Sequence, residues 1–494
     1  MQQQVLTRAS HHSGVAAITA SFGLLMALVS LTMLPPIGVE LIYHDGAIKP
    51  FVHSFWIMLL LGFTCWFAFR NHRVELRNWQ GFFVVVAVWL AVPLLSALPF
   101  ALMTAPHMSF IDAIFESTSG LTTTGATVLD RVDGLPHSIL YYRAQLNFIG
   151  GIGIVVLAVA VLPMFGIGGM QLYKAETPGP FKDEKLTPRI TETAKRLSIV
   201  YLLLVASCAF AYWSAGMGRF DALCHAFATL ALGGFSTHTE SLGYFHSPAI
   251  EVVGGVFSLV AGINFALLFL CWTELSWKPV LRDPEFRFYM GVMGALVVVV
   301  CLWLYLSGTF GPAEAAYHGF FETISIATDN GLVAGHFPSW PAPIALLLIM
   351  ASFFGGCVGS TCGGIKAMRY MLLAKQSARE LQLLVHPHAV INVKIRRRAV
   401  PERAIEAIWA FYFFYVFAYT LISFGVTATG IDIVSAFGST AACLNNMGVG
   451  YGVTASSFES LNDTAKSLLV FAMLLGRLEL FPILLLFTPT FWKN

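Results

Sequence analysis

Four short stretches combine a glycine with residues whose main offering is oxygen. They read LTTTGAT around Gly125, LALGGFS around Gly234, IATDNGLV around Gly331 and CLNNMGVG around Gly448. Such turns meeting on one axis would present rings of carbonyl oxygens, the arrangement that replaces a potassium ion's water shell in channel filters. Glycine suits the position because it reaches φ > 0 and puts no side chain in the path. The candidate ion-binding residues are Thr123, Thr124 and Gly125, then Leu232, Gly233 and Gly234, then Asp329, Asn330 and Gly331, and finally Asn446, Met447 and Gly448. Within them, the cation itself is expected at Thr124, Gly125, Gly233, Gly234, Asn330, Gly331, Met447 and Gly448.

The four glycines lie on the order of 100 residues apart, a spacing that marks an internal repeat. Asp112 and Asp221 stand at one offset before their glycines, and so do Phe115 and Phe321, and Glu116 and Glu322. Any one turn alone could be an ordinary glycine-containing loop; four in register argue for a repeated unit.

The elements that would hold these turns are membrane helices. The chain of 494 residues is 57% hydrophobic and 11% charged, with mean hydropathy +0.72, where a soluble protein carries roughly a quarter charged residues. Apolar runs of about 20 residues, enough to cross a bilayer, are expected near 15–34, 51–70, 79–103, 138–165, 197–217, 248–272, 287–308, 341–373, 404–428 and 465–490. The first is read as a retained helix rather than a cleaved leader. Shorter pieces near 111–122, 219–231, 313–327 and 432–443 suit re-entrant half-helices, since irregular backbone at membrane depth must line protein or water. Their C-terminal ends would carry partial negative charge toward the turns. Acidic residues for an outer mouth are Asp130, Asp133, Glu240, Asp329, Glu459 and Asp463.

With the short pieces re-entrant, Arg70, Arg73, Arg77, Lys174, Lys182, Lys185, Arg189, Lys195, Arg196, Lys278, Arg282, Arg287 and the cluster from Lys366 to Arg403 share one side. The positive-inside rule makes that side, and both termini, cytoplasmic. The eight cysteines lie mostly in apolar runs with no CxxC pair, so they read as small hydrophobes.

Two features lie beyond the turns. GGCVGSTCGG at 355–364 interrupts an apolar run with Gly355, Gly356, Gly359, Gly363 and Gly364. Each glycine costs a helix about 1 kcal/mol relative to alanine. The segment is a candidate gate, with close helix packing through small residues as the alternative. Arg477 lies mid-span in LVFAMLLGRLELFPILL, where a charge costs about 2.5–3.5 kcal/mol on insertion scales. It either faces an aqueous pore or pairs structurally. Asn147, Gln145 and Asn264 are given no role.

The four turns, GGIG at 150–153, FFGGCVGSTCGGIKAMRYMLL at 353–373 and MLLGRLELFPIL together resemble the Trk/Ktr/HKT superfamily of cation uptake proteins. Length and two additional N-terminal spans point to its TrkH-type potassium-uptake subunits. The resemblance covers about residues 15 to 490. It implies an all-α polytopic membrane fold, with four helix–pore-loop–helix repeats in pseudo-fourfold arrangement and two extra N-terminal transmembrane helices. It also implies K+ as the transported ion, no cofactor in this chain and a gating loop at 355–364. The partners it implies are a cytosolic TrkA-type nucleotide-binding regulatory subunit and a second copy of the chain, in the bacterial inner membrane. Gly125 matches the potassium-selective pattern, whereas TDNGL and NNMGV depart from the threonine-rich consensus.

The expected organisation is a two-helix segment over 1–78, pore-loop repeats over 79–170, 195–275 and 285–373, a basic cytoplasmic linker over 374–403 and a fourth repeat over 404–494. A gated pore is the leading function. A secondary transporter coupling K+ to H+ or Na+ is the alternative and needs an ionisable midplane site; arginine is a poor proton carrier. Enzyme signatures such as HExxH, GxSxG or a Walker loop do not occur, and nothing points to nucleic acid.

Overall fold

The computed structural model describes residues 19–70, 78–160, 186–335, 337–396, 398–480 and 483. The termini, Arg73, Arg77, Lys174, Lys182, Lys185 and the far end of the last expected span lie outside the described residues. The fold is helical, with a single two-residue hairpin among the described residues, β1 Lys394–Ile395 and β2 Arg398–Ala399.

Packing divides the chain into two units. The first runs to Thr118 and adds Gly134–Arg143 and the chain from Leu478. It holds α1 Thr19–Tyr43, α2 Ile48–Phe69 and α3 Asn78–Ser96. α1 and α2 touch through glycines: a Cβ on Gly23 would sit 2.7 Å from Gly62 O, and one on Gly62 would sit 2.7 Å from Gly23 O. Small residues let the two backbones approach this closely.

The second unit, Ser119–Asp133 with Ala144–Arg477, carries all four turns. A short helix precedes each turn: α4 Phe110–Leu121, α7 Arg219–Ala231, α11 Pro312–Ala327 and α15 Ile433–Leu444. Longer helices flank them. These are α5 His137–Ala160, α6 Leu186–Ser214, the pair α8 Pro248–Ala261 and α9 Phe265–Glu274, α10 Pro284–Leu306, α12 Ala342–Ser352, α13 Ala367–Val385, α14 Glu402–Ala428 and α16 Asp463–Arg477. Local chemistry sets the starts. Asp283 caps α10 by accepting from Phe286 N at 2.9 Å, ahead of Pro284; Asp432 caps α15 by accepting from Ser435 N at 3.0 Å. Such caps satisfy amides that have no partner inside the helix.

Five helices are long and apolar enough to cross a bilayer among the described residues, or six with the α8–α9 pair. The run 248–272, expected to be one straight span, is instead bent by 95° between α8 and α9. The stretch 374–403, expected as a linker, continues α13 to Val385 and then forms the hairpin. Met371, Leu372, Val393, Ile395 and Val400 make a small core beneath it.

Candidate functional site

All four pore helices end in the same way. The residue two before each glycine, Thr123, Leu232, Asp329 or Asn446, is left-handed with φ between 51° and 62°. Its amide donates three residues back, as Thr123 N does to Gly120 O at 3.1 Å. The next amide donates five back: Thr124 N to Ser119 O (2.8 Å), Gly233 N to Ala228 O (2.9 Å), Asn330 N to Ser325 O (2.8 Å) and Met447 N to Ala442 O (2.8 Å). This is the Schellman pattern, which normally puts glycine at the left-handed position. Here side-chain-bearing residues occupy it, at roughly 1–2 kcal/mol each. Gly125, Gly234, Gly331 and Gly448 follow with φ of 83°, 70°, 73° and 84°, so each turn alternates handedness and its carbonyls leave the helical direction.

The turns face one another in a closed cycle. A Cβ on Gly125 would come 2.6 Å from Gly233 O, and one on Gly234 would come 2.8 Å from Asn330 O. One on Gly331 would strike Met447 O, and one on Gly448 would strike Thr124 O. Each glycine thus abuts the carbonyl that precedes the next repeat's glycine, and the fourth closes on the first. Any side chain there would collide with backbone. Thr124, Gly125, Gly233, Gly234, Asn330, Gly331, Met447 and Gly448 come together in this ring, and Thr123, Leu232, Asp329 and Asn446 end the helices just before it.

Side chains hold the ring from behind. Asn446 Nδ2 donates to Thr124 Oγ1 and to Met473 O, both at 3.0 Å, linking the fourth turn to the first. Asn330 Nδ2 donates to Ser258 Oγ on α8 at 2.7 Å. Asn147, which sequence reasoning left without a role, packs on the second turn, so that a Cβ on Gly233 would lie 2.7 Å from its Nδ2.

Nine residues before the glycine of each of the first three repeats sits a brace that sequence reading only half found. Buried Glu322 accepts from Ala334 N at 2.7 Å and Gly335 N at 2.6 Å, fixing the segment that leaves the third turn. His225 holds the same place in the second repeat and reaches Ser236 Oγ at 2.9 Å. Glu116, in the first, pairs with Arg143 Nε at 2.7 Å, both side chains buried. Ser439, in the fourth, turns back to Ala436 O of its own helix.

Asp130, Asp133, Glu240, Glu459 and Asp463 are exposed, as expected of a mouth. Asp133 and Asp221 flank His238, with Asp133 Oδ1 at 3.2 Å from Nδ1 and Asp221 Oδ1 at 3.5 Å from Nε2. Partial burial opposes ionisation of Asp133, yet hydrogen bonds from Thr239 and His238 win and hold its carboxyl below the usual carboxylate range. Asp329 departs from the mouth reading. Its side chain is fully buried and lies beside Gly364.

The glycine-rich segment is irregular backbone from 353 to 366, not packed helix. It docks into the bend between α8 and α9. Cys357 N donates to Gly262 O (2.9 Å), and Phe265 N donates to Gly359 O (3.1 Å). Asn264, also left without a role, caps α9 by accepting from Ala266 N at 2.8 Å and lies against Gly359. A Cβ on Gly363 would strike Asn445 O, next to the fourth turn, and Gly364 N donates to that same oxygen at 3.2 Å. Arg477 completes the assembly. Rather than standing free in an aqueous cavity, its buried guanidinium donates to Thr361 O of the segment (3.0 Å) and to Gly150 O of α5 (3.1 Å).

Comparison with known proteins follows the same outline. The profile of the TrkH family, described as cation transport protein, matches residues 47–494. The "Trk system potassium uptake protein TrkH" of Escherichia coli (strain K12) is 48% identical over 97% of this chain and 99% of its own length. The "Trk system potassium uptake protein TrkG" of the same organism is 44% identical over 98% and 99%. The crystal structure of the potassium transporter TrkH from Vibrio parahaemolyticus superposes with a TM-score of 0.91 at 45% identity, covering 97% of this chain and 99% of that one.

Proposed function

The chain belongs to the TrkH family of cation transport proteins, and from that premise we propose that it takes up potassium across the bacterial inner membrane through a channel-like pore. The ring of four turns carries this reading, because its glycines leave room only for the backbone of the next turn, and a ring of backbone carbonyls is what a potassium filter needs. A cation shedding its water is compensated there by fixed oxygen dipoles. The segment 355–364 is the gate below the ring, and Arg477 latches it to α5.

Control comes from a cytosolic nucleotide-binding subunit of the TrkA type, acting on a homodimer of this chain. The docking surface we assign is the end of α13 and the hairpin, where Leu381, Leu384, Val385 and Val390 are exposed. Apolar side chains on a cytoplasmic surface are suited to a protein partner.

The test is 86Rb+ uptake into proteoliposomes holding the purified chain, with potassium and sodium as competitors. Potassium should compete far better than sodium, and Gly125→Ser should narrow that difference at unchanged expression. Equal competition by both ions, or full selectivity retained in Gly125→Ser with normal flux, would remove the ring from the selectivity role.

A further inference from the structure

The first two turns of α10 touch the glycine-rich segment and the hairpin at once. On the segment side, buried Glu285 accepts from Val358 N at 2.7 Å. The rings of Phe288 and Tyr289 lie 6.0 Å and 6.5 Å from that of Phe354, where the segment begins. On the hairpin side, Asp283 divides its carboxylate. Oδ2 caps α10 by accepting from Phe286 N at 2.9 Å, and Oδ1 lies 3.6 Å from Arg396 Nη2. The same nitrogen donates to Arg282 O at 3.4 Å. Phe288 also packs on the small core that holds Val393, Ile395 and Val400. Burying a carboxylate is costly unless it is bonded. Asp283 already caps α10, so Glu285 is not needed to start the helix; its partner is the segment.

We propose that the first two turns of α10 are the lever by which a movement of the hairpin reaches the gate, and that Glu285 is the positioning residue holding the segment closed. This rests on reading the segment as the gate. The Arg396–Asp283 pair is the input, because a load on the hairpin draws on the residue that begins α10. Glu285 stands two residues on, so the helix start cannot shift without moving the acceptor of Val358 N. Tyr289 Oη donates to Leu259 O of α8 at 3.2 Å, which ties the second turn of α10 beside the bend where the segment docks. Coupling between sites needs an element with two discrete arrangements; here they are Glu285 bonded to Val358 and Glu285 released from it.

Cys357 reports the segment's position, because its thiol is buried and its neighbour Val358 makes the bond in question. Its alkylation rate, read by peptide mass spectrometry, and basal 86Rb+ flux are measured on the full-length chain in the same proteoliposomes. Glu285→Leu should raise both about tenfold, as loss of a hydrogen bond to a charged group allows. Glu285→Gln keeps an oxygen that accepts from Val358 N and should stay near the parent. Arg396→Ala should raise both a few-fold, in keeping with a half-exposed pair. Asp283→Asn, which keeps a cap on α10, should do the same, and the two together should exceed neither. Added to Glu285→Leu, Arg396→Ala should change nothing. Thermal melts identify any variant that misfolds; Glu285→Ala then replaces Glu285→Leu, and Arg396→Gln replaces Arg396→Ala. A slow Cys357 in Glu285→Leu, or a Glu285→Gln as fast as Glu285→Leu, would overturn the positioning role. A parent-like Arg396→Ala, or its full effect in the Glu285→Leu background, would overturn the lever. Failure of the gate reading looks different: Cys357 would respond as expected while basal flux stayed flat, and deletion of 356–363 would leave flux unchanged.

Discussion

At the third turn, Glu322 does work that the turn's own residues cannot. Its Oε1 receives two amides of the departing segment while Oε2 has no partner among the described residues. Hydrogen bonds to a charged group are worth about 1.5–3 kcal/mol each, so the carboxylate is a principal tie on that segment. Glu322→Leu is expected to lower potassium-over-sodium discrimination about tenfold and to lower the melting temperature. Glu322→Gln keeps an acceptor oxygen in place and should retain most of the discrimination. Equal loss in both variants would point to charge rather than positioning, and no loss in either would end the brace role. Arg477 makes the opposite kind of contact, donating to two carbonyls with no carboxylate partner among the described residues. Arg477→Gln is too short to span Thr361 and Gly150. It should free the segment and raise basal 86Rb+ flux several-fold with the protein still folded. A large stability loss at unchanged flux per molecule would mark it as structural only.

Among the elements, the glycine-rich segment is tied at both ends and in the middle. It bonds Gly262, Phe265 and Asn445 through backbone. A segment that only packed helices together would be needed for closure of the fold, whereas a gate is dispensable to it. Deleting 356–363 is therefore expected to leave a folded protein with raised, partner-independent flux; a folded but less conductive deletion would favour packing. Much of this level was legible in the chain. The four short helices before the turns stood out from the membrane-length apolar runs, and five glycines announced the break after Ser352. The 95° bend at AGIN was not legible, because Gly262 and Asn264 in an apolar run look like any small-residue contact. The bend is satisfied by Cys357 and Gly359, nearly 100 residues on, and no local pattern reports such a partner. The pore-helix ends were hidden for a related reason. A Schellman cap announces itself through glycine at its left-handed residue, and here Thr123, Leu232, Asp329 and Asn446 hold that place, with the glycine two residues later. His225 was missed as a brace because only the glutamates at that offset match one another.

For the molecule as a whole, the choice between a pore and an ion-coupled carrier turns on its buried carboxylates. A symporter must load and release a proton or sodium ion at an ionisable group near the membrane midplane during each cycle. Glu116 is committed to Arg143, Glu322 to two amides and Glu285 to Val358 N at 2.7 Å. Asp329 is the buried carboxylate near the ring whose two oxygens are both without a hydrogen bond among the described residues. Asp329 lies against Gly364 of the glycine-rich segment, so a proton cycle there would require the segment to move every turnover, whereas steady conduction requires it once, on opening. Uptake of 86Rb+ is accordingly expected to follow the rubidium gradient and membrane voltage alone. With voltage clamped near zero by a permeant ion, an imposed pH gradient should leave the initial rate unchanged, and a trapped pH dye should show no proton movement in step with rubidium. Proton entry at a fixed ratio to rubidium, abolished in Asp329→Asn, would instead establish symport and locate its site.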